Sequence, residues 1–399
     1  MTWPVVPLAE VAEVRLGRQR SPRHHQGDSM RPYIRAANVT WTGLDLSDVK
    51  TMNFTDGEMA TYRMEPGDIV LSEASGSPGE VGKPALWSGE IGECAFQNTL
   101  IRVRPWVHDP KFLTHYFHFL ALDGQFVKHS RGVGIHHIGR ARLASWPTPL
   151  PQVEEQRQIV DLLEDHLSRL DAADAYLDAS RRRLLAMERS ALANCRDGEL
   201  RPLADVTAIQ GGIQKQQKRA PKANAFPFLR VANVTARGLE LDDIHQVELF
   251  LGELDRLRLQ NGDLLVVEGN GSASQIGRAA IWDGSIDNCV HQNHLIRVRP
   301  LEGLLPEYLE AVWNSPLNRA SLTEVASSSS GLHTLSVSKL KQISIPVPSL
   351  DRQRELVDDV TAVREAVARL GAGIGNAAAQ RKAVHRSLLA AAFSGRLTG

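Results

Sequence analysis

The chain has 399 residues, with 46 basic and 46 acidic side chains, 42% hydrophobic and 23% charged residues. These values are typical of globular proteins and exclude fibrous and extensively disordered classes, and the length predicts two to three domains. Every apolar run is shorter than the roughly 18 residues that would suggest a membrane span, so no membrane partner is expected. Because the first residues do not resemble a signal peptide and the three cysteines lack ligand spacing, we expect a cytoplasmic protein without structural disulfides, metal or cofactor.

The first 150 residues contain short strand-like segments separated by Gly, Pro and Asp. Pro66–Trp87 has the pattern of a strand, a glycine-rich loop and a second strand. Ile101–Pro105 alternates apolar and basic residues, which predicts a half-buried strand that ends at proline. Lys111–Val127 is predicted to form a helix that packs on the sheet. The fold class of this region is therefore predicted to be α+β.

This pattern occurs twice. Pro32–Thr40 (PYIRAANVT) recurs at Pro227–Thr235 (PFLRVANVT), a shift of 195 residues, and 19 of the 40 positions from Pro66 to Pro105 are identical at that shift. Beyond Arg104 the shift becomes 197. Such a long period indicates duplication of a whole domain with an appended segment. We expect a first domain at residues 1–150, a helix at 151–197, a second domain at 198–347 and a helix at 348–399.

Each domain is followed by a heptad pattern. Apolar residues with 4-3 spacing run from Ile159 to Ala191 and, in the second copy, from Leu356 to Leu388. The pattern predicts two long helices that pair as an antiparallel coiled coil, because a parallel pair would require the second domain to carry the chain back along the whole helix. Full overlap of the two patterns would place Arg381 opposite His166. Roughly 33 residues would form a rod of about 50 Å, or about 15 base pairs of DNA.

A basic segment occupies the same place in both domains. A charge run is usually a solvated loop face, but here the charge persists although the sequences differ, and polar side chains lie among the basic ones. That mixture is suited to phosphate contacts beside base-edge hydrogen bonds. The predicted DNA-binding residues of these segments are Arg15, Arg18, Arg20, Arg23, His24, His25, Arg31 and Arg35 in the first domain, and Lys215, Gln216, Lys218, Arg219, Lys222 and Arg230 in the second.

The glycine-rich loops at 73–83 and 268–278 do not match a phosphate-binding loop, because the spacing to Lys83 is wrong and no Ser or Thr follows it. They are interpreted either as tight connections between strands or as loops that approach the DNA backbone. Asp68, Glu73 and their counterparts lack the lysine of a nuclease site, and the motifs of methyl transfer and nucleotide binding are absent. No catalytic residue is therefore expected. The loop residues predicted to contact DNA are Ser75, Ser77, Lys83, His136, His137, Asn270, Ser272, Arg278 and His333.

The repeated order of domain, proline pair (Pro149–Pro151, Pro346–Pro348), Gln-Arg helix start and long helix resembles the specificity subunits of type I restriction–modification systems. The resemblance covers essentially the whole chain. It implies two target-recognition domains that each read half of a bipartite asymmetric double-stranded DNA site, with the helices as a spacer. It also implies two methyltransferase subunits that methylate adenine, and restriction subunits can join this assembly in the family. A stand-alone bipartite DNA-binding regulator and a specificity subunit of a fused restriction–methylation enzyme remain alternatives.

Overall fold

The computed structural model describes residues 3–75, 77–128, 136–235, 238–269, 277–326 and 335–397. The chain divides into two compact units, the first made of residues 1–177 and 376–399 and the second of residues 178–375. Within the described ranges, no helix is long and apolar enough to cross a lipid bilayer.

Unit one contains the first domain. Its strands are β1 (Val5–Pro7), β2 (Ala12–Leu16), β3 (Met30–Ile34), β4 (Val39–Thr40), β5 (Gly43–Leu44), β6 (Lys50–Asn53), β7 (Ile69–Ser72), β8 (Ala74–Ser75), β9 (Pro84–Leu86), β10 (Ala95–Phe96), β11 (Leu100–Pro105), β12 (His136–His137) and β13 (Pro147–Pro149). Its helices are α1 (Asp56–Tyr62), α2 (Pro110–Leu122), α3 (Gln125–Lys128), α4 (Arg140–Ala144) and the first part of α5 (Val153–Ala193). An antiparallel four-stranded sheet has the order β2-β11-β7-β9, and a three-stranded sheet has the order β10-β3-β6.

Unit two repeats this arrangement. Its strands are β14 (Glu199–Pro202), β15 (Thr207–Gly211), β16 (Ala225–Leu229), β17 (Val234–Thr235), β18 (Gly238–Leu239), β19 (His245–Glu248), β20 (Leu264–Val267), β21 (Ala279–Ile281), β22 (Val290–His291), β23 (Leu295–Pro300) and β24 (Ser344–Val347). Its helices are α6 (Leu203–Val206), α7 (Glu253–Leu257), α8 (Pro306–Asn314), α9 (Pro316–Ala326), α10 (Val337–Gln342) and part of α11 (Leu350–Phe393). The sheets have the orders β15-β23-β20-β21 and β19-β16-β22, matching those of unit one. The α+β class and the duplication are thereby confirmed.

The helix predicted at Lys111–Val127 is present but divided. Pro110 occupies the first turn of α2, where a proline costs no helical hydrogen bond, and the Asp109 carboxylate accepts hydrogen bonds from the next two available backbone N–H groups. A left-handed glycine, Gly124 (φ +71°), separates α2 from α3. Leu113 and Phe117 pack against the four-stranded sheet.

On helix α2, His115 and His118 form a histidine pair in which burial lowers the pKa of the two rings to about 4 and about 3.

The alternation in Ile101–Pro105 predicted a half-buried strand with one face in water. The structure does not show such an exposed face. Arg102 is only 2% exposed, and its guanidinium donates to the Glu13 carboxylate at 2.6 Å. Arg104 donates to both oxygens of Asp68, which is completely buried. In the second domain Arg299 and Asp263 form the same pair. The aspartate that the two domains share at this place therefore neutralises an arginine of the sheet and has a structural role.

The three cysteines are buried and free, as expected for small apolar groups. Burial raises the pKa of Cys94 and Cys289 to about 12 and that of Cys195 to about 11. These thiols are therefore protonated and unsuited to nucleophilic chemistry.

Both units contain an antiparallel segment of the paired long helices. In unit one, Leu163 packs with Leu389 in one apolar cluster, and Arg381 forms ion pairs with Asp171 and Asp174 at 3.0 and 2.9 Å. In unit two, Arg364 forms an ion pair with Glu188 at 3.3 Å. The antiparallel direction is therefore confirmed, but the pairing of Arg381 with His166 is wrong by five positions, because Arg381 pairs with Asp171 instead. The residue numbers of this pair sum to 552, as do those of Leu163 with Leu389 and of Arg364 with Glu188. A heptad pattern is compatible with several registers, and full overlap of the two patterns was the wrong choice among them.

The Gln-Arg sequence at each helix start is explained by a buried glutamine. Gln156 is 0% exposed, accepts from the Asp109 backbone N–H at 2.8 Å and donates to the Pro151 carbonyl at 3.0 Å. In unit two, Gln353 accepts from the Leu305 N–H and donates to the carbonyls of two further residues, all at 2.9 Å. Each glutamine thus joins the start of a long helix to its own domain.

Helix α11 carries three glycines within five positions, a glycine triplet composed of Gly371, Gly373 and Gly375. A Cβ atom added at each of them would meet no atom within 4 Å. Packing therefore does not require glycine at these positions, although glycine lowers helix stability.

Candidate nucleic-acid interface

Several loops of the first domain meet at one edge of the four-stranded sheet. Because neighbouring strands are antiparallel, β2 and β7 end at the edge where β11 begins. The basic segment that follows β2 is joined to the turn before β11 by a hydrogen bond from the Asn98 N–H to the Arg18 carbonyl at 3.0 Å. The Glu73 N–H, directly after β7, donates to the Thr99 carbonyl at 2.9 Å. We call this edge, with its basic segment, glycine-rich loop and turn, the loop edge.

The predicted histidines lie at the same edge. His136 and Ser75 are register partners in the pairing of β12 with β8. The Nδ1 atom of the next residue, His137, lies within hydrogen-bond distance of the Glu73 carboxylate, at 3.1 Å. The Ser75 hydroxyl accepts from the Ser77 N–H at 3.0 Å. The basic segment, the glycine-rich loop and the histidines, which were predicted separately, are therefore brought together.

The second domain has an equivalent loop edge. The Asn293 N–H donates to the Ile213 carbonyl at 2.9 Å, and the Glu268 N–H donates to the His294 carbonyl at 3.0 Å. The Leu335 N–H donates to the Glu268 carbonyl, as Ile138 does to Glu73 in the first domain. The predicted residues Asn270, Ser272 and His333 lie outside the described residues. Arg278, at the end of the glycine-rich loop, donates to the Val231 carbonyl at 3.2 Å.

Two predicted arginines of the basic segments bind acidic side chains of their own domain. Arg18 is 8% exposed, lies over the Phe54 ring and forms an ion pair with Glu58 at 2.6 Å. Arg219 forms a two-point ion pair with Glu253 at 2.7 and 2.8 Å. The hydrogen bonds from Arg219 lower the pKa of Glu253 to about 2, so both groups stay charged. The structure gives these side chains an internal role that the sequence did not indicate.

Other predicted cations also have acidic partners. Arg35 and its counterpart Arg230 form ion pairs with Asp48 and Asp243, at 2.8 and 2.6 Å, and thereby close equivalent loops. The remaining pairs join Arg15 to Glu13, Arg31 to Glu93, and Lys83 to Glu80.

The predicted residues on the tips of the basic segments are different. The residues in and around the 3-10 turns at Pro22–His24 and Gln217–Arg219 are largely exposed. Within the described part of the chain, five of their cations have no acidic partner: Arg20, Arg23, Lys215, Lys218 and Lys222. In the first domain, the Arg20 guanidinium donates to the His25 ring at 3.0 Å, and the preceding residue His24 is partly exposed. In the second domain, the Gln216 amide donates to the Gln214 side chain. These tips thus hold exposed cations that no acidic side chain of the described residues neutralises.

Thr99 and His294 also lie at the loop edges, although neither was among the predicted site residues. They are the only difference between the nonapeptides Gln97–Pro105 and Gln292–Pro300. Each lies in the turn at the loop edge of its own domain. The one difference between two otherwise identical segments could have identified this position.

The described residues contain no cluster of three or more His, Cys, Asp or Glu side chains arranged to hold a metal ion. The site is thus a pair of polar, cationic loop edges, each on a rigid sheet and each followed by a long helix. This arrangement defines a class of protein with two tandem recognition domains.

Comparison with known proteins identifies the family. The family model for the type I restriction modification DNA specificity domain matches residues 1–174 and again residues 196–374. The chain therefore belongs to the family of type I restriction–modification DNA specificity proteins.

Among its relatives, the type I restriction enzyme EcoKI specificity subunit of Escherichia coli strain K12 is 26% identical over 420 residues, covering 99% of this chain and 89% of the relative. The StySPI specificity subunit of Salmonella potsdam is 25% identical over 419 residues, with the same coverage.

Two solved structures share the fold. A chain from a study of complex assembly and conformational transition of the type I R-M system has a TM-score of 0.76 and 18% identity, covering 99% of this chain and 98% of that chain. The HsdS subunit from Thermoanaerobacter tengcongensis has a TM-score of 0.53 and 18% identity, covering 99% and 97%.

Proposed function

We propose that the chain is the DNA-recognition subunit of a type I restriction–modification complex. Each domain reads one half of a bipartite asymmetric site in double-stranded DNA, and the long helices determine the spacer between the halves. The observation that carries the proposal is the loop edge, which occurs twice on the same framework while its exposed side chains differ. Two such edges on one chain are suited to two different half-sites.

The exposed tips of the basic segments are proposed to contact phosphates. Phosphate contacts position a protein on DNA without selecting a sequence, so they can differ in detail between the domains. Arg20 and Arg23 in the first domain, and Lys215, Lys218 and Lys222 in the second, supply charge that no acidic side chain of the described residues neutralises. These side chains can displace counterions from DNA, although the net charge of the whole chain is zero.

The chain itself is proposed to be non-catalytic and cytoplasmic. Two methyltransferase subunits would dock on it and methylate an adenine in each half-site, and restriction subunits could join the same assembly. The names of the relatives, which are specificity subunits of restriction enzymes, support this assignment. The study from which the structural neighbour with TM-score 0.76 comes concerns assembly of such a system.

The proposal is tested by mapping DNA methylation in cells that express the full chain with a type I methyltransferase subunit encoded beside it. We expect adenine methylation at one bipartite motif, and neither protein alone should produce it. A chain that binds a specific duplex tightly by itself at about 150 mM salt and supports no methylation would instead be a stand-alone regulator.

The role of the basic tips is tested by the salt dependence of DNA binding. In the assembled complex, Arg20→Ala with Arg23→Ala should reduce the slope of log K against log salt by about 2, since each phosphate contact contributes about 0.9. The preferred bases should stay the same. Arg354→Ala is the matched control, because this exposed arginine on α11 has only a local ion pair with Asp351. An equal change of slope in the control would contradict the assignment.

A further inference from the structure

The two loop edges share a feature that the sequence alignment of the domains does not show. We propose that His137 in the first domain and His294 in the second are specificity-determining residues, each positioned by the glutamate at the equivalent place, Glu73 or Glu268. This inference rests on the proposed function, because it names side chains that read bases within it.

The geometry of the two pairs is the same. In each, the imidazole Nδ1 lies 3.1 Å from the glutamate Oε2. The histidine side chains are 50% and 56% exposed, whereas the glutamates are 16% and 31% exposed. The more buried carboxylate thus holds a ring that faces outward.

The backbone of each glutamate is fixed on both sides. The Glu73 N–H donates to the turn before β11, and its carbonyl accepts from the Ile138 N–H at 3.0 Å. Glu268 makes the equivalent bonds to His294 and Leu335, at 3.0 and 2.6 Å. The two glutamates therefore occupy equivalent positions, although the residues around them differ between the domains.

The histidines come from different segments of the chain. His137 lies in β12, far along the sequence from the turn before β11. His294 instead lies within the equivalent turn of the second domain, directly before β23. At the position equivalent to His294, the first domain has Thr99, whose hydroxyl accepts from the Ala36 N–H at 3.1 Å. The turn therefore folds without a histidine. In both domains, an outward-facing imidazole is therefore held by the glutamate at the equivalent position. Folding of the turn does not require this imidazole.

The chemistry of the pair gives the ring a defined orientation. An ionised carboxylate only accepts hydrogen bonds, so the Nδ1 atom that faces it carries the proton. In the neutral imidazole the other nitrogen, Nε2, is then an acceptor, and no other hydrogen bond to either ring is present among the described residues. A fixed acceptor at the loop edge matches the exocyclic amino groups of adenine N6 or cytosine N4 in the major groove. Glu73 and Glu268 act through the histidines and are positioning residues.

The test uses the full chain assembled with its methyltransferase subunits and DNA libraries in which each base of the site is varied. His294→Thr introduces the residue that the first domain carries in the same turn, so the loop edge is retained. We expect a loss of about tenfold or more in preference at one base position of one half-site. The other half-site and the melting temperature should be unchanged. His137→Ala should do the same in the other half-site.

The glutamates are tested in the same libraries. Glu268→Ala should relax the base position that His294→Thr relaxes, while Glu268→Gln, whose amide oxygen can still accept from Nδ1, should restore the preference. A purely structural role for Glu268 would instead lower the melting temperature without changing the preference at one position.

Other outcomes would overturn the inference. A uniform loss for all sequences would mean a phosphate contact, and unchanged preference in His294→Thr and in a second variant, His294→Asn, would mean no contact with a base. A change in both half-sites would also contradict it. If the unmodified chain yields no bipartite motif, the proposed function fails; if it yields the motif and the variants leave it intact, only this inference fails.

Discussion

The buried glutamine at the start of α11 should contribute much more to stability than the exposed arginine beside it. Gln353→Leu removes one acceptor and one donor group that together make three hydrogen bonds, to the Leu305 N–H and to the carbonyls of Gly303 and Pro348. A buried backbone group left without a partner costs about 1–3 kcal/mol, and burial of the leucine side chain offsets part of this. We expect a net loss of about 2–4 kcal/mol.

The size of unit two converts this loss into a measurable change. For a unit of about 200 residues, 1 kcal/mol corresponds to about 2–4 °C, so its unfolding transition should fall by roughly 4–16 °C. The assay is differential scanning calorimetry of the full chain, with amide hydrogen exchange to locate the loosened segment. Exchange should increase near residues 303–305 and at the start of α11.

The adjacent residue provides the control. Arg354→Leu removes only the exposed ion pair with Asp351, which lies one helical turn away, and should change stability by less than about 1 kcal/mol. Equal shifts for the two variants, or no shift in Gln353→Leu, would refute the role given to the buried amide.

Three further predictions concern the helices. Replacing the glycine triplet with alanine should raise the free energy of unfolding by about 1 kcal/mol per site, because space for the Cβ is open; a lower melting temperature would show that these positions need glycine. Deleting residues 178–184 together with 368–374 preserves the pairing register and removes about two turns from each helix. Methylation mapping should then show a spacer about 3 base pairs shorter. Altered half-site bases would contradict the proposal that the helices set the spacer while the domains read the bases. Replacing the histidine pair with leucine should flatten the pH dependence of stability between about pH 6.5 and 4. Burial depresses the pKa of the rings, so between these pH values the unfolded chain binds more protons than the folded chain. Stability therefore falls with decreasing pH, by about 1.4 kcal/mol per pH unit for each ring. An equally steep fall in the leucine variant, measured by urea unfolding, would refute the role given to the histidine pair.

The architecture could be predicted from the order of the amino acids alone. The 195-residue shift predicted two copies of one α+β domain, and the heptad pattern predicted two long antiparallel helices. Glycine, proline and the Ile101–Pro105 pattern located the strands and the loop between them. These features depend on local periodicity and on duplication, both of which are visible in one dimension.

Which charged side chains are available for binding depends on contacts that form only in the folded chain. Arg219 and Arg20 look alike in sequence, but Arg219 is neutralised by Glu253, 34 positions away, and Arg20 has no acidic partner among the described residues. The register of the helices depends on pairs such as Arg381 with Asp171, which a repeating pattern does not single out. His137 and His294 reach equivalent glutamates from different segments, so no alignment of the two copies brings them together. In each case the deciding partner is distant in sequence, and its position follows from folding.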